Sequence, residues 1–155
     1  MIRAQGLAKK MVASSRSQST LQTALDIGLI DEGFANVAQA VKEADLIVLA
    51  MPVCATQAVL ANIKEHIKKS VIITDVGSTK GNVVAAAEAV FGVVPARFVP
   101  AHPIAGSEQS GVLAGKVDLF QRHKVIITPL AETDSDATAL IKALWQAAGA
   151  EVLTM

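Results

Sequence analysis

The sequence predicts one α/β domain in which buried parallel strands are covered by helices. The length of 155 residues suits a single hydrophobic core. Hydrophobic residues make up 52% of the chain but aromatic residues only 3%, so Ala, Val, Ile and Leu must build that core. Helix-like and strand-like segments also alternate along the chain, which is typical of βαβ units.

The strand predictions rest on short apolar runs that are bounded by Gly, Pro, Ser or charged residues. The predicted strands, in chain order, are LAKKMVASS (7–15), ADLIVLAMP (44–52), SVIITDVGS (70–78), ARFVPAH (96–102), HKVIITP (123–129) and AEVLTM (150–155). Several of these runs are apolar without alternation, which indicates strands that are buried on both faces.

The helix predictions rest on apolar residues that recur with helical spacing and on glycines that follow the last turn. The predicted helices are 18–27, 37–43, 56–68, 82–91 and 135–148. Gly28 and Gly149 stop the first and the last of them. The last helix presents an apolar stripe made of Leu140, Ile141, Leu144 and Trp145.

The N-terminal segment allows two interpretations. We favour a strand that follows a helix end at Gly6, in which case the chain begins within a fold. The alternative is a transit peptide, since basic residues and serines occur before Leu25 without any acid.

Composition also excludes or disfavours several classes of partner. The formal net charge is zero, and the basic runs with interleaved aromatics that mark nucleic-acid binders do not occur. The longest apolar run, residues 46–55, is shorter than the ~20 residues of a membrane helix and contains Pro52. The single Cys54 is expected to be a small buried residue and fits a reducing, cytoplasmic location. We therefore expect a small-molecule partner, with no nucleic acid and no membrane.

Three segments at predicted strand ends carry the small and polar residues of a candidate site. They are AMPVCAT (50–56), TDVGSTKGN (74–82) and AHPIAGSEQSG (101–111). Ligands bind open α/β sheets outside the carboxyl ends of the strands, where loops and helix N-termini converge. We expect these three segments to lie together there.

Individual residues in these segments have alternative roles. Ser78 is either a helix cap or a ligand contact. Lys80, as a first-turn lysine, opposes the helix dipole, which favours a nearby anionic ligand over simple solvation. His102 is either a structural histidine or a catalytic one, and its place at a strand end before Pro103 favours catalysis. We expect His66 and His123 to be surface residues.

Other catalytic motifs do not match this sequence. The three histidines and the one cysteine lack the spacing of a metal site, and no metal is expected. GSTKG lacks the length and order of a P-loop, and no G-x-S-x-G elbow occurs.

The pair of segments TDVGSTKG and AHPIAGSEQSG, followed by DLF, resembles the prephenate and arogenate dehydrogenases of tyrosine biosynthesis. The resemblance runs from ASSRS to LWQAAGAEV and covers nearly the whole chain. It implies a Rossmann-like parallel sheet with helices on both faces. It also implies NAD(P)-dependent oxidative decarboxylation of prephenate to 4-hydroxyphenylpyruvate, or of arogenate to tyrosine.

The resemblance assigns roles to residues of this chain. His102 hydrogen-bonds the ring hydroxyl that is oxidised and takes its proton, since a neutral imidazole is a suitable base. Ser78 orients the imidazole or the substrate hydroxyl and also contacts the cofactor, while Glu108 lines the substrate pocket. The remaining dinucleotide contacts are Ala50, Met51, Pro52, Val53 and Gly77.

Cofactor preference depends on the end of the second Rossmann strand, where an acid binds the ribose hydroxyls of NAD. Here Ser14, Ser15, Arg16 and Ser17 provide donors and a cation but no acid. That set suits the 2′-phosphate of NADP, which we favour over NAD. Because family members keep an arginine here even when they use NAD, NAD stays an alternative, with Arg16 stacked on the adenine.

The chain departs from the family pattern at both ends. A first strand with its G-x-G-x-x-G turn and the C-terminal helical domain that forms the family's dimer have no counterpart in it. We therefore expect residues 1–155 to form a single, incomplete nucleotide-binding domain of impaired activity. The alternatives are a non-catalytic nucleotide-binding module or remnant of the family, and another short-loop reductase of the 3-hydroxyacid or pyrroline-carboxylate type.

Overall fold

The structure, a computed structural model, describes residues 2–106 and 111–155. Its strands are β1 (Val12–Ser14), β2 (Glu32–Phe34), β3 (Leu46–Leu49), β4 (Ile72–Asp75), β5 (Phe98–Val99), β6 (Ala101–Pro103), β7 (Lys124–Ile127) and β8 (Glu151–Thr154). Its α-helices are α1 (Gln18–Asp26), α2 (Val37–Val41), α3 (Thr56–Ile63), α4 (Lys80–Phe91) and α5 (Ser135–Ala147). Short 3-10 turns cover Val53–Ala55 and Val112–Ala114.

The strands form three hydrogen-bonded groups. Strands β1 and β2 pair in parallel, and β3, β4 and β5 form a parallel sheet in that order. In the third group β7 pairs with β6 antiparallel and with β8 in parallel. Only Pro100 separates β5 from β6, so one chain segment joins the second and third groups.

Helices cover both faces of the central sheet, and β4 shows how the sequence achieves this. Successive side chains of a strand point to opposite faces. Ile73 packs in one cluster with Leu60 of α3 and Val83 of α4. Its neighbour Ile72 packs in the other cluster, with Ile141 of α5. Full burial of one such apolar side chain contributes roughly 1.5–3 kcal/mol, and no residue of β4 is exposed.

The N-terminal unit, formed by β1, β2 and α1, has a small core of its own. Leu21 and Ala24 of α1 pack with Ile30. Ser17 caps α1, because its Oγ accepts a hydrogen bond from Thr20 N at 3.2 Å. Within the described residues, this unit and the sheet that contains β3 share no strand pairing.

The structure confirms the Rossmann-like α/β class and corrects several details. Strand β2 was not predicted, because the segment Glu32–Phe34 is too short and too polar to be recognised as a buried strand. The predicted strand over 96–102 is divided at Pro100, and its second part is antiparallel to β7. Leu140 is exposed rather than part of the apolar stripe, and Cys54 is exposed rather than buried.

The predicted helix ends at glycines are confirmed. Gly28 follows the last turn of α1 with φ of +67°, and Gly149 follows α5 with φ of +82°. No helix in the described part of the chain has the length and hydrophobicity that a bilayer crossing requires.

Candidate active site

The centre of the site is a buried carboxylate at the carboxyl end of β4. Asp75 is 2% exposed, and its oxygens accept hydrogen bonds from three different parts of the site. Ala101 N donates to Oδ1 at 3.1 Å, and Gly77 N donates to Oδ2 at 2.8 Å. The Lys80 ammonium also donates to Oδ2. Asp75 therefore holds together the TDVGS loop, the first turn of α4 and the start of β6.

The Lys80 side chain completes this network instead of facing solvent. Its ammonium donates to Asp75 and, at 2.6 Å, to Ala101 O. Burial lowers the pKa of Lys80 by more than the hydrogen bond and charge of Asp75 raise it. The sequence suggested an anionic ligand for this lysine, but the anion that it binds in the structure is Asp75.

Gly77 marks a close approach between two of the three predicted segments. A Cβ on this residue would lie 2.7 Å from Val53 Cγ2 and 3.0 Å from Asp75 Oδ2. Only a glycine fits between these groups without a shift of the neighbours. The structure thus brings the AMPV segment (50–53) against the TDVGS loop, as the sequence predicts.

His102 lies in β6, next to the anchored Ala101. It pairs with Ile126 of β7 and is half-buried. At this position part of the His102 side chain is accessible, at the end of the sheet where Asp75 forms hydrogen bonds with the loops. His66 and His123 are exposed, in agreement with their interpretation as surface residues.

Ser78 does not cap the helix that follows it. The N-cap of α4 is Thr79, whose side chain makes no capping hydrogen bond, and the helix begins at Lys80. Ser78 is exposed and directly follows Gly77, so its hydroxyl is available to a ligand. The capping alternative for Ser78 is therefore wrong.

The Ser14–Ser17 segment follows β1 and leads into α1. Its hydrogen bonds are local, since Ser15 Oγ accepts from Ser17 N at 3.1 Å and Ser17 Oγ caps the helix. Ser15 N also donates to Phe34 O, which ties the segment to β2. Arg16 is exposed. A helix N-terminus with exposed donors and one guanidinium can hold a phosphate group.

The remaining predicted contact residues differ in their exposure, and one of them is outside the described residues. Ala50 and Pro52 are exposed and Met51 is half-buried, so the segment after β3 offers backbone and side-chain atoms to a ligand. Glu108, the predicted substrate contact, lies outside the described residues. The roles of all these residues toward cofactor and substrate stay predictions.

Asp75, which organises the site, is not among the site residues predicted from the sequence. A signal was present, because an acid ends an otherwise apolar strand two residues before Gly77. A buried carboxylate needs donors, and the nearest candidates were a backbone amide and Lys80.

Residues 1–154 match the family model described as "Prephenate dehydrogenase, nucleotide-binding domain". The chain belongs to the prephenate dehydrogenase family. Among curated proteins it is 38% identical to a cyclohexadienyl dehydrogenase of Zymomonas mobilis, over 90% of this chain and 47% of that protein. It is 37% identical to a prephenate dehydrogenase of Bacillus subtilis, over 95% of this chain and 40% of that protein.

Solved structures of the family have the same fold. The Aquifex aeolicus prephenate dehydrogenase in complex with hydroxyphenyl propionate and NAD+ superposes with a TM-score of 0.91 at 32% identity. The match covers 99% of this chain and 53% of that one. The chain thus spans about half the length of the relatives that it matches.

A pyrroline-5-carboxylate reductase of Coxiella burnetii also superposes, with a TM-score of 0.72 at 17% identity over 99% of this chain and 52% of that one. That likeness shows a shared fold alone. Membership of the prephenate dehydrogenase family therefore takes precedence over the pyrroline-carboxylate alternative.

Proposed function

We propose that this chain supplies the nucleotide-binding part, together with Ser78 and His102, of an NAD(P)-dependent dehydrogenase that acts on prephenate or arogenate. One observation supports this most: a single carboxylate, Asp75, accepts hydrogen bonds from Gly77 N and Ala101 N. The residues that follow these two amides are Ser78 and His102. A serine and a histidine on neighbouring, anchored segments suit the oxidation of a hydroxyl group.

The proposed reaction gives His102 the role of a base. Bound NAD(P) would supply the acceptor for the hydride that leaves the carbinol carbon of the substrate. His102 takes the hydroxyl proton as the C–O bond becomes a carbonyl, and Ser78 orients the hydroxyl. The ring carboxylate of the resulting dienone leaves as carbon dioxide, and its electron pair makes the ring aromatic. The proton returns to the ring oxygen, and the products are 4-hydroxyphenylpyruvate or tyrosine.

The cofactor assignment rests on residues at two strand ends. At Gly77 a Cβ would meet Val53 Cγ2 and Asp75 Oδ2, so the lack of a side chain keeps the predicted contact segment 50–53 against the TDVGS loop. Exposed Arg16 and the serines before α1 suit a ribose phosphate, so we propose NADP as the preferred cofactor. These features fit a dinucleotide without requiring any other group.

The first experiment measures binding and turnover by the chain itself. Calorimetric titrations with NADP and NAD are followed by assays of cofactor reduction with prephenate and with arogenate. His102→Ala is expected to lower turnover by roughly 10²–10⁴-fold, the usual contribution of a general base. His123→Ala is the matched control, because that histidine is exposed and belongs to a different segment.

The outcomes separate the proposal from its alternative. Turnover that depends on His102 supports the dehydrogenase. Dinucleotide binding without turnover favours the non-catalytic module, and the lack of any binding contradicts the proposal.

Cofactor preference is tested with Arg16→Ala. If the guanidinium binds the 2′-phosphate, the variant loses about tenfold in NADP affinity, or ~1.4 kcal/mol, while NAD affinity changes much less. Equal losses for both cofactors would instead indicate stacking of Arg16 on the adenine.

A further inference from the structure

Lys80 occupies a position that is unfavourable for a lysine by itself. It is the first residue of α4, where the helix dipole disfavours a cation. Its side chain is only 16% exposed, so the ammonium has also lost much of its hydration. A lysine with these two costs needs specific partners, and the structure provides Asp75 and Ala101 O.

Asp75 and Lys80 both bind the backbone of Ala101, whose N–H and C=O groups are not used in strand pairing. In the ladder between β6 and β7, Pro100 O accepts from Thr128 N and Ile104 N donates to Lys124 O. Antiparallel pairing alternates, so the N–H and C=O of Ala101 face away from β7. On that side β4 has already ended at Asp75.

Within the described residues, two side chains bind the backbone of Ala101 on that side, beyond the end of β4. The Asp75 carboxylate accepts the Ala101 N–H at 3.1 Å, and the Lys80 ammonium donates to the Ala101 C=O at 2.6 Å. Both backbone groups of the residue before His102 are therefore fixed by one ion pair. The same carboxylate fixes Gly77 N, one residue before Ser78.

We propose that Asp75 and Lys80 are positioning residues, which hold Ser78 and His102 at a fixed spacing without contacting substrate or cofactor. The catalytic meaning of that spacing rests on the proposed function. A buried ion pair is seldom the most stable solution, since apolar residues of similar volume often stabilise a fold as well. Its use here is explained by geometry: charged side chains give the two loops hydrogen bonds that apolar side chains lack.

The test variant is Lys80→Met, which removes the ammonium and keeps a similar side-chain volume. The readout is the NMR signal of each histidine imidazole in the folded chain, recorded well below the unfolding midpoint, together with the Ser78 amide signal. The matched control is Lys64→Met, because Lys64 Nζ also donates to a backbone carbonyl, Val90 O at 3.0 Å, away from this network.

The proposal predicts displaced or broadened His102 and Ser78 signals in Lys80→Met, with His66 and His123 signals unchanged. The Lys80→Arg variant retains charge and donors and is expected to restore the His102 and Ser78 signals in part. Lys64→Met should leave all of these signals in place. Unchanged His102 and Ser78 signals in Lys80→Met would overturn the proposal, even if the variant is less stable.

A second variant covers the case in which Lys80→Met does not fold. The double variant Asp75→Asn/Lys80→Met leaves no unpaired charge and is read in the same way. Where the chain turns over, Lys80→Met should lower kcat by roughly 10²-fold with little change in KM, as misplaced catalytic groups do. Altered His102 signals in a chain that binds no dinucleotide would retain the positioning role and contradict the proposed function.

Discussion

Two aspartates of this chain make similar contacts in different surroundings. Asp75 accepts hydrogen bonds from Gly77 N, Ala101 N and the Lys80 ammonium and is 2% exposed. Asp31 accepts from Met11 N and from the Arg3 guanidinium, each at 2.7 Å, but it is exposed. Each carboxylate thus joins a backbone amide of another segment to a cation.

Because the two networks differ in burial, we expect them to contribute differently to stability. Water competes for the hydrogen bonds of Asp31 and screens its charge, so this pair contributes little to stability. Asp75 is buried, so water does not readily replace the hydrogen bonds that it accepts, and the loss of these bonds is costly. The segments near His102 are therefore held rigidly, whereas the N-terminal unit is joined by contacts that open more easily.

The largest effect is expected for Asp75→Ala. This variant leaves a partly buried ammonium without its counter-ion and the Ala101 N–H without an acceptor, and removal of one partner from a buried ion pair costs about 3–5 kcal/mol. Urea denaturation measures the free energy of unfolding. Asp31→Ala is the matched control, with a much smaller expected loss. Equal losses for the two variants would show that burial does not distinguish these networks.

An intermediate effect is expected for Gly77→Ala. The added Cβ would meet Val53 Cγ2 at 2.7 Å and Asp75 Oδ2 at 3.0 Å, and overpacking of this kind costs about 1–3 kcal/mol. Gly81→Ala is the control, since a Cβ there has no neighbour within 4 Å and alanine favours the helix. Thermal unfolding of both variants measures the difference. A Gly77→Ala variant as stable as the wild type would mean that the loops can separate, contrary to a rigid Asp75 network.

The sequence predicts the elements of this fold better than the connections between them. Apolar runs such as the one that contains β4 reveal buried strands, because burial on both faces leaves a direct trace in composition. Strand β2 leaves no such trace, since its stability comes from pairing with β1. The break at Pro100 could not be predicted, because a proline can end strand pairing but does not determine which strand the chain pairs with next.

The site follows the same rule. Ser78 and His102 are predicted to lie near each other from their strand ends, because parallel strands end at one edge of a sheet. The ion pair between Asp75 and Lys80 could not be predicted, since it depends on the depth and direction of both side chains. The sequence indicates that Lys80 needs an anion, but it does not reveal that the anion comes from the strand before it.

The smallest effect is a pH dependence that arises at Asp31. The hydrogen bond from the Arg3 guanidinium, with a further one from Met11 N, lowers the pKa of Asp31 below its usual 3.8. The folded state therefore binds the proton less readily than the unfolded chain does. This contribution to stability is present above pH 3.8 and is lost as the pH falls through the lower, folded-state pKa.

Asp31→Asn tests this assignment, because the amide cannot titrate. The loss of stability from about pH 5 to about pH 2, the range in which carboxylates titrate, should be smaller in Asp31→Asn than in the wild type. Glu65→Gln removes an exposed carboxylate elsewhere and serves as the control. Hydrogen exchange of the Met11 amide locates the effect, since acid should release this amide while Ala101 stays protected. Release of Ala101 before Met11 would reverse the order of the two networks and contradict the role of burial.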